Sequence, residues 1–337
     1  MLAALLTAER PRLTLENVPD PVAGPGEVIL RVSGCGICGS DLHLASQLAP
    51  VGGILGHELA GTIELIGKGV NPALAPLGAA AVARPLWGCG ECEWCRHGRP
   101  DHCRDFGLVG LERPGAFAEY VRVRADELFL LPDGIPSELH PLVEPLAVAR
   151  RALRRGAVSA GDRVAVLGAG PIGLAVVGWA RALGVDRIAV TDPCSDRRRL
   201  AIEMGATSAI DPTSGTTDVE LTAALEGAPQ VVMECTGRAG LIQEAMGLAS
   251  VDGRVVVVGI CPSVDEFVPW SGISKELDVR FAVYYGREDF VDTISALEAN
   301  RLQVSQFVTE HIDLEALPER FLQLCEIPDG GKVIVHP

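Results

Sequence analysis

The chain has 337 residues, 48% of them hydrophobic, with 29 basic and 44 acidic side chains and a net charge of −15. That length and apolar content suit two domains with separate cores and exclude disordered and fibrous classes. The acidic balance repels polyphosphate backbones and anionic membranes on average, so neither nucleic acid nor membrane is an expected partner.

From Met1 to Pro11 there is no basic leader, and the apolar run stops at Glu9, too short for a signal-peptide core. A cytoplasmic location is therefore expected. Residues 1 to 125 contain short strand-like runs, Glu27 to Val32 and Glu58 to Ile66, broken by Gly and Pro with no long periodic helix, which predicts an all-β first domain. Within it, Gly-Cys-Gly-Ile-Cys-Gly-Ser-Asp-Leu-His at 34 to 43 and Gly-His-Glu at 56 to 58 bring one sulfur, one nitrogen and one oxygen from Cys38, His57 and Glu58. Three protein ligands leave a fourth position for water or substrate, the pattern of a catalytic metal. Singly, each of these residues also reads as an ordinary buried thiol, a satisfied histidine or a surface carboxylate. A second cluster changes that balance.

The second cluster is a polar loop holding Cys89, Cys92, Cys95 and Cys103 in the spacing Cys-x2-Cys-x2-Cys-x7-Cys. A large apolar chain without an export signal argues against a disulfide framework for its ten cysteines, and four exposed free thiols would oxidise. Thiolates at this spacing can wrap a tetrahedral ion, with zinc the best fit and an iron–sulfur cluster the competing occupant. Four sulfurs leave no open position, which marks a structural site.

The longest uncharged run, Val164 to Ala180, is interrupted by Gly168, Gly170, Pro171, Gly173 and Gly178 and falls short of the roughly 20 apolar residues that span a bilayer. A short strand, Asp162 to Leu167, leads into Gly168-Ala-Gly170-Pro171-Ile172-Gly173 and then a helical stretch from Ala175 to Leu183. In that context the glycines let the backbone approach a pyrophosphate resting on a helix N-terminus. Asp192, at the end of the next apolar run, can accept hydrogen bonds from ribose hydroxyls and would repel a 2′-phosphate, so NAD is favoured. Its alternative role is to cap the following helix. Arg197, Arg198 and Arg199 keep NADP open, since one of them could meet a phosphate; otherwise they form a solvated helix face. Ala209-Ile210, Gln230 to Met233 and Arg254 to Ile260 read as buried strands, alternating with helices at Ser195 to Gly205, Thr217 to Leu225 and Leu241 to Ala249. That alternation predicts a doubly wound parallel sheet. The segment Gly330 to Pro337 reads as one more strand returning to the first domain.

Those motifs, with Pro-Gly-Glu-Val at 25 to 28, Gly-Ala-Phe-Ala-Glu-Tyr at 115 to 120 and Val-Glu-Pro-Leu-Ala-Val at 143 to 148, occur in the order that resembles the zinc-containing medium-chain alcohol and polyol dehydrogenases. The resemblance spans essentially the whole chain. It implies an α/β protein with a GroES-like β-rich catalytic domain over 1–146, rejoined by about 288–337, a Rossmann-type NAD-binding domain over 147–287, and an active site in the cleft between them. It further implies that Cys38 and His57 ligate a catalytic zinc, that Asp41 orients the histidine, and that Ser40 and His43 form a proton relay. Glu144 occupies the place where some relatives carry a third, cysteine ligand, so either Glu58 or Glu144 completes the set. Two zincs per chain and a homodimer or homotetramer are expected.

The reaction so implied is hydride transfer between an alcohol or its ketone and the nicotinamide. The uncharged segment Leu44 to Leu55 suggests an apolar pocket if it lines the site, although ordinary packing explains it equally well. Sorbitol dehydrogenases carry an arginine before a tyrosine where this chain has Tyr284-Tyr285. Its absence favours a less polar secondary alcohol, with polyol or L-threonine oxidation as the alternative. A non-enzymatic zinc-binding redox sensor would leave the dinucleotide motif without a purpose, and a zinc-free reductase would not need Cys38 and His57.

Overall fold

The computed structural model describes residues 1–326 and 330–337. These fall into two compact units, one comprising Met1–Glu144 with Val308–Pro337 and the other Pro145–Phe307. No helix among the described residues is long and apolar enough to cross a membrane.

The first unit is built on a seven-stranded sheet whose centre is the long strand Glu27–Gly36, buried at Val28, Ile29, Leu30 and Val32. Along one edge this strand pairs antiparallel with Glu58–Ile66, placing Gly36 opposite Glu58. On its other edge it pairs first with Tyr120–Arg124 and then, at the far end, with Lys332–His336, where Ile334 faces Gly36. This register gathers Cys38, Glu58 and Lys332 at one end of the sheet. The returning segment is held by the helix Leu317–Glu326, whose Leu317, Phe321 and Leu324 recur at helical spacing and sink into the same core as Val28, Leu30 and Phe117.

The helix Gly39–Gln47 and the single turn Glu93–Arg96 correct the all-β expectation for residues 1–125. The first buries only Asp41 and Ala45, so it has no apolar stripe for a periodicity argument to find. Its start is marked instead by Asp41, three residues after Cys38, whose carboxylate accepts the Cys38 N–H at 3.0 Å.

The second unit carries a six-stranded, wholly parallel sheet in the order Ser208–Ile210, Arg187–Thr191, Arg163–Leu167, Val231–Glu234, Arg254–Val257, Asp278–Phe281. The chain moves outward in one direction from Arg163–Leu167 and then in the other from Val231–Glu234. The strand order therefore switches between these two, where doubly wound sheets bind their ligands. The edge strand Asp278–Phe281 was not anticipated, because its Asp-Val-Arg-Phe sequence is half polar and largely exposed.

The expected return to the first domain at about 288 falls too early. The helix Arg287–Glu298 belongs to the second unit, where Asp289 and Asp292 pair with Arg154 and Arg150 at 2.8 and 2.9 Å and Phe290 is fully buried. Residues 327–329 of the returning segment lie outside the described residues.

Candidate active site

Asp41 is the hub of the first cluster. It is fully buried, and while one carboxylate oxygen accepts the Cys38 N–H, the other accepts the Gly56 N–H at 3.3 Å and His57 Nδ1 at 3.1 Å. With Nδ1–H donated to Asp41, Nε2 is the nitrogen left for a metal, and Ser40 Oγ lies 3.3 Å from it. Burial alone would depress the His57 pKa, but Asp41 and Cys38 facing the ring raise it well above the ordinary imidazole value. Gly56 makes the turn into this histidine at φ +93°, and a Cβ there would lie 2.7 Å from Phe117 and 2.9 Å from Cys35 Sγ, so only glycine fits.

Glu58, with no exposure, is split between two roles. Its Oε1 sits 2.5 Å from Lys332 Nζ, itself 1% exposed, which also donates to the Ile37 carbonyl at 3.1 Å. Burial works against the Lys332 charge, but the neighbouring Glu58 carboxylate outweighs it and the pKa is raised, so the ammonium persists. Glu58 Oε2 is buried and has no hydrogen-bond partner among the described residues. Ligand atoms of Cys38, His57 and Glu58 all lie within 4.8 Å of one another. A buried carboxylate oxygen without a partner is costly, and a cation held by this S, N, O set would satisfy it and keep a fourth position open, so these residues fit zinc. Glu144 lies in the first turn of the helix Val143–Arg155 and is buried, but it stands outside that three-residue group.

Because Asp41 fixes both Cys38 and His57, Asp41→Asn is expected to weaken metal retention at this cluster by about 10–100-fold. Zinc loss to a chelator, followed by metal analysis, reads this directly; unchanged retention would remove Asp41 from the role.

On the helix Gly39–Gln47, Ser40 and His43 are one turn apart and share a face. His43 is exposed and its Nδ1 donates to the Gly39 carbonyl at 2.7 Å, leaving Nε2 available. No contact of His43 with Ser40 is seen.

The four-cysteine loop closes as its spacing implies. All four sulfurs lie within 4.8 Å of one another, and Cys89 Sγ is 4.0 Å from Cys95 Sγ. Zinc bonds of about 2.3 Å put tetrahedral sulfurs roughly 3.8 Å apart, so the set fits that ion. Backbone N–H groups of Cys89, Cys92, Cys95 and Asp105 point at the sulfurs from 3.3 to 3.5 Å. The N–H groups of Glu91 and Cys92 hold the Cys89 thiol down at about 7, whereas burial pushes Cys95 up to about 12. A bound cation would take the place of the thiol protons.

In the second unit, the strand Arg163–Leu167 ends in the glycine turn. Gly168 has φ +95° and a Cβ would meet Thr236 at 2.5 Å, while a Cβ on Gly173 would strike the Gly168 carbonyl at 1.9 Å. Gly170 has nothing within 4 Å of its Cβ position, which leaves space over the start of the helix Pro171–Ala182. Pro171 and Ile172 open that helix, whose first turn presents N–H groups lacking intrahelical acceptors.

Asp192 follows the strand Arg187–Thr191 and is 3% exposed; its oxygens accept Ala169 N–H at 3.0 Å and Cys194 N–H at 2.8 Å. It thus links the glycine turn to the next strand and is not the cap of the helix Ser195–Glu203, whose N-cap is Cys194. Of the three arginines, Arg197 approaches Asp192 at 3.8 Å, Arg198 binds the Asp192 and Pro193 carbonyls, and Arg199 lies on the exposed face beside Asp196 and Glu203. Lys332 was missed by sequence reasoning, although it stands in the stretch Gly330 to Pro337 read as the returning strand.

A parallel sheet with a glycine turn and an acidic strand end, in one chain with two thiol-bearing clusters that could each hold a metal ion, has the features of a metal- and dinucleotide-binding protein. The family described as alcohol dehydrogenase GroES-like domain matches residues 24–133, and that described as zinc-binding dehydrogenase matches residues 171–299. Among curated relatives, 2-dehydro-3-deoxy-L-galactonate 5-dehydrogenase of Pseudoalteromonas atlantica is 33% identical, with 92% of each chain covered. The (R,R)-butanediol dehydrogenase of Bacillus subtilis is 32% identical over 96% of each. Two solved structures cover 100% of this chain and 99% of their own: a zinc-binding dehydrogenase from Sinorhizobium meliloti bound to NADP, 30% identical with a TM-score of 0.90, and an alcohol dehydrogenase from Escherichia coli CFT073 complexed with NADH, 27% identical with a TM-score of 0.91. The chain belongs to the zinc-containing medium-chain alcohol and polyol dehydrogenase family, with a GroES-like and a Rossmann-type domain. It is a nicotinamide-dependent, zinc-binding oxidoreductase acting on CH–OH donors.

Proposed function

We propose that this enzyme interconverts a secondary alcohol and its ketone with NAD(H), using a zinc held by Cys38, His57 and Glu58. The observation that carries this reading is the Cys38, His57 and Glu58 triad, in which the buried Glu58 Oε2 lacks any partner among the described residues. When bound, zinc supplies the Lewis acidity that lowers the substrate hydroxyl pKa, and NAD accepts the hydride from carbon. Asp41 holds the His57 ring in the tautomer that presents Nε2. Ser40 Oγ, beside that nitrogen, takes up the hydroxyl proton as it gives up its own, and the exposed His43 exchanges protons with solvent through Nε2. Cys89, Cys92, Cys95 and Cys103 hold a second, structural zinc.

Asp192 supports NAD over NADP, because its carboxylate is anchored by two backbone N–H groups and stays directed by the glycine turn. Similarity to a butanediol dehydrogenase, together with the lack of an arginine before Tyr285, supports a secondary alcohol of low polarity. Initial rates with NAD and NADP across short secondary alcohols, polyols and L-threonine test the reading. The highest kcat/KM is expected for a secondary alcohol, with NAD preferred at least about tenfold, the effect of roughly 1.4 kcal/mol. A clear preference for a polyol or threonine would overturn the substrate, and activity indifferent to chelation would overturn the zinc.

Self-association is part of the same proposal. The edge strand Asp278–Phe281 ends the six-stranded sheet, and Phe281, Ile273 and Trp270 in and before it are 63%, 65% and 68% exposed. A second copy would cover this edge and its apolar surface. Light scattering is expected to give a dimer or larger for the native chain and a shift toward monomer for Phe281→Asp; a native monomer would sink the idea.

A further inference from the structure

The zinc reading leaves one buried cation unexplained, and that cation touches the triad. Lys332 comes from the returning strand, 274 residues away from Glu58 in sequence, and both side chains are shut off from solvent. Its ammonium engages Oε1 alone, while Oε2 has no hydrogen bond among the described residues and belongs to the same carboxylate that lies within ligand distance of Cys38 and His57. Two positive charges therefore compete for one carboxylate when the metal is present. We propose that Lys332 is a positioning residue that restricts Glu58 to a single-oxygen grip on the metal, so that the second oxygen does not close the position needed by substrate.

The inference rests on the triad being the zinc site. Its physical content is a sign. With Lys332 in place, Glu58 is already neutralised before metal arrives, and Oε1 is withheld. Without the ammonium, the buried carboxylate has only the metal to neutralise it, and both oxygens are free to bind. Removing Lys332 should thus make zinc cling more tightly while the enzyme turns over more slowly. A purely structural role for the pair predicts the opposite for zinc, since a loosened strand would let the metal escape.

The test compares the full-length native enzyme with Lys332→Met, Lys332→Arg, Glu58→Gln and the double variant Lys332→Met/Glu58→Gln, all loaded with Zn2+. Zinc loss to a chelator from the triad should slow by about tenfold or more in Lys332→Met, with kcat reduced, and return to the native rate in Lys332→Arg. Glu58→Gln should lose zinc faster, and adding Lys332→Met to it should change nothing further, because Lys332 acts through Glu58. Co2+ substitution gives a second readout: the visible absorption of the triad site should shift in Lys332→Met and not in Lys332→Arg. Equal or faster zinc loss in Lys332→Met overturns the proposal. Should Lys332→Met alone fail to fold, the double variant relieves the unpaired charge, and any difference in its zinc loss or Co2+ spectrum from Glu58→Gln overturns it as well. Failure of the native protein to bind Co2+ in a Cys38-dependent way would instead overturn the zinc reading itself.

Discussion

Replacing Cys38 with serine is expected to lower kcat by about 10³-fold or more while one equivalent of zinc stays bound. The triad loses its only sulfur, and His57 and Glu58 together are too few to hold the ion against water. Lewis-acid stabilisation contributes several kcal/mol to alcohol oxidation, and each 1.36 kcal/mol is a factor of ten. The second zinc survives because its four sulfurs lie in a separate loop. Folding should change little, since Cys38 is partly exposed and its backbone N–H, not its sulfur, anchors Asp41. His43→Ala gives the contrasting case: both zincs remain, and kcat falls by about 10²-fold with a changed pH profile. Metal content and steady-state kinetics on the same preparations decide the matter. Full turnover in Cys38→Ser, or two zincs retained, would remove this cluster from the chemistry.

Cys103→Ser should do the reverse, costing at least about 3 kcal/mol of stability while kcat per folded molecule stays within about twofold. Cys103 is buried, and its sulfur accepts N–H groups from Cys89 and Asp105. Structural zinc contributes its binding free energy to folding, and for domains of this size 3 kcal/mol is roughly 6–12 °C in Tm. Acid should mimic the substitution: the sulfurs bind zinc only after losing protons, so protonation as pH falls releases the ion and the stability it confers. Thermal melts with and without chelator, alongside proteolysis within residues 88–103, measure the effect. An unchanged Tm with zinc absent would show that the loop needs no metal.

Much of this was legible because metal and phosphate sites demand particular residues at short spacing. The four cysteines, Gly168-x-Gly170-x-x-Gly173 and the run of parallel strands each declare themselves within a few dozen residues. What escaped was either weakly patterned or distant. The helix Gly39–Gln47 carries Ser40, Asp41 and His43 but buries too little apolar surface to show a period. The edge strand Asp278–Phe281 reads as polar because two of its four residues are charged, although Val279 packs against the core. Lys332 sits beside Glu58 through strand pairing that no local pattern encodes. Glu58 stands out from the residues themselves and Glu144 enters only through the resemblance; the donor atoms of Cys38 and His57 group with Glu58, which supports it as the third ligand.

The strand Lys332–His336 also imposes an order on synthesis. The first unit has its sheet interrupted by residues 145–307, so the ribosome must make the entire second unit before Lys332 exists to meet Glu58. At 5–20 residues per second this is a delay on the order of ten to thirty seconds. During it the strand Glu27–Gly36 lacks a neighbour along part of one edge, and the Glu58 carboxylate lacks its ammonium. A nascent chain thus carries the triad residues early but completes their surroundings only when the returning segment emerges.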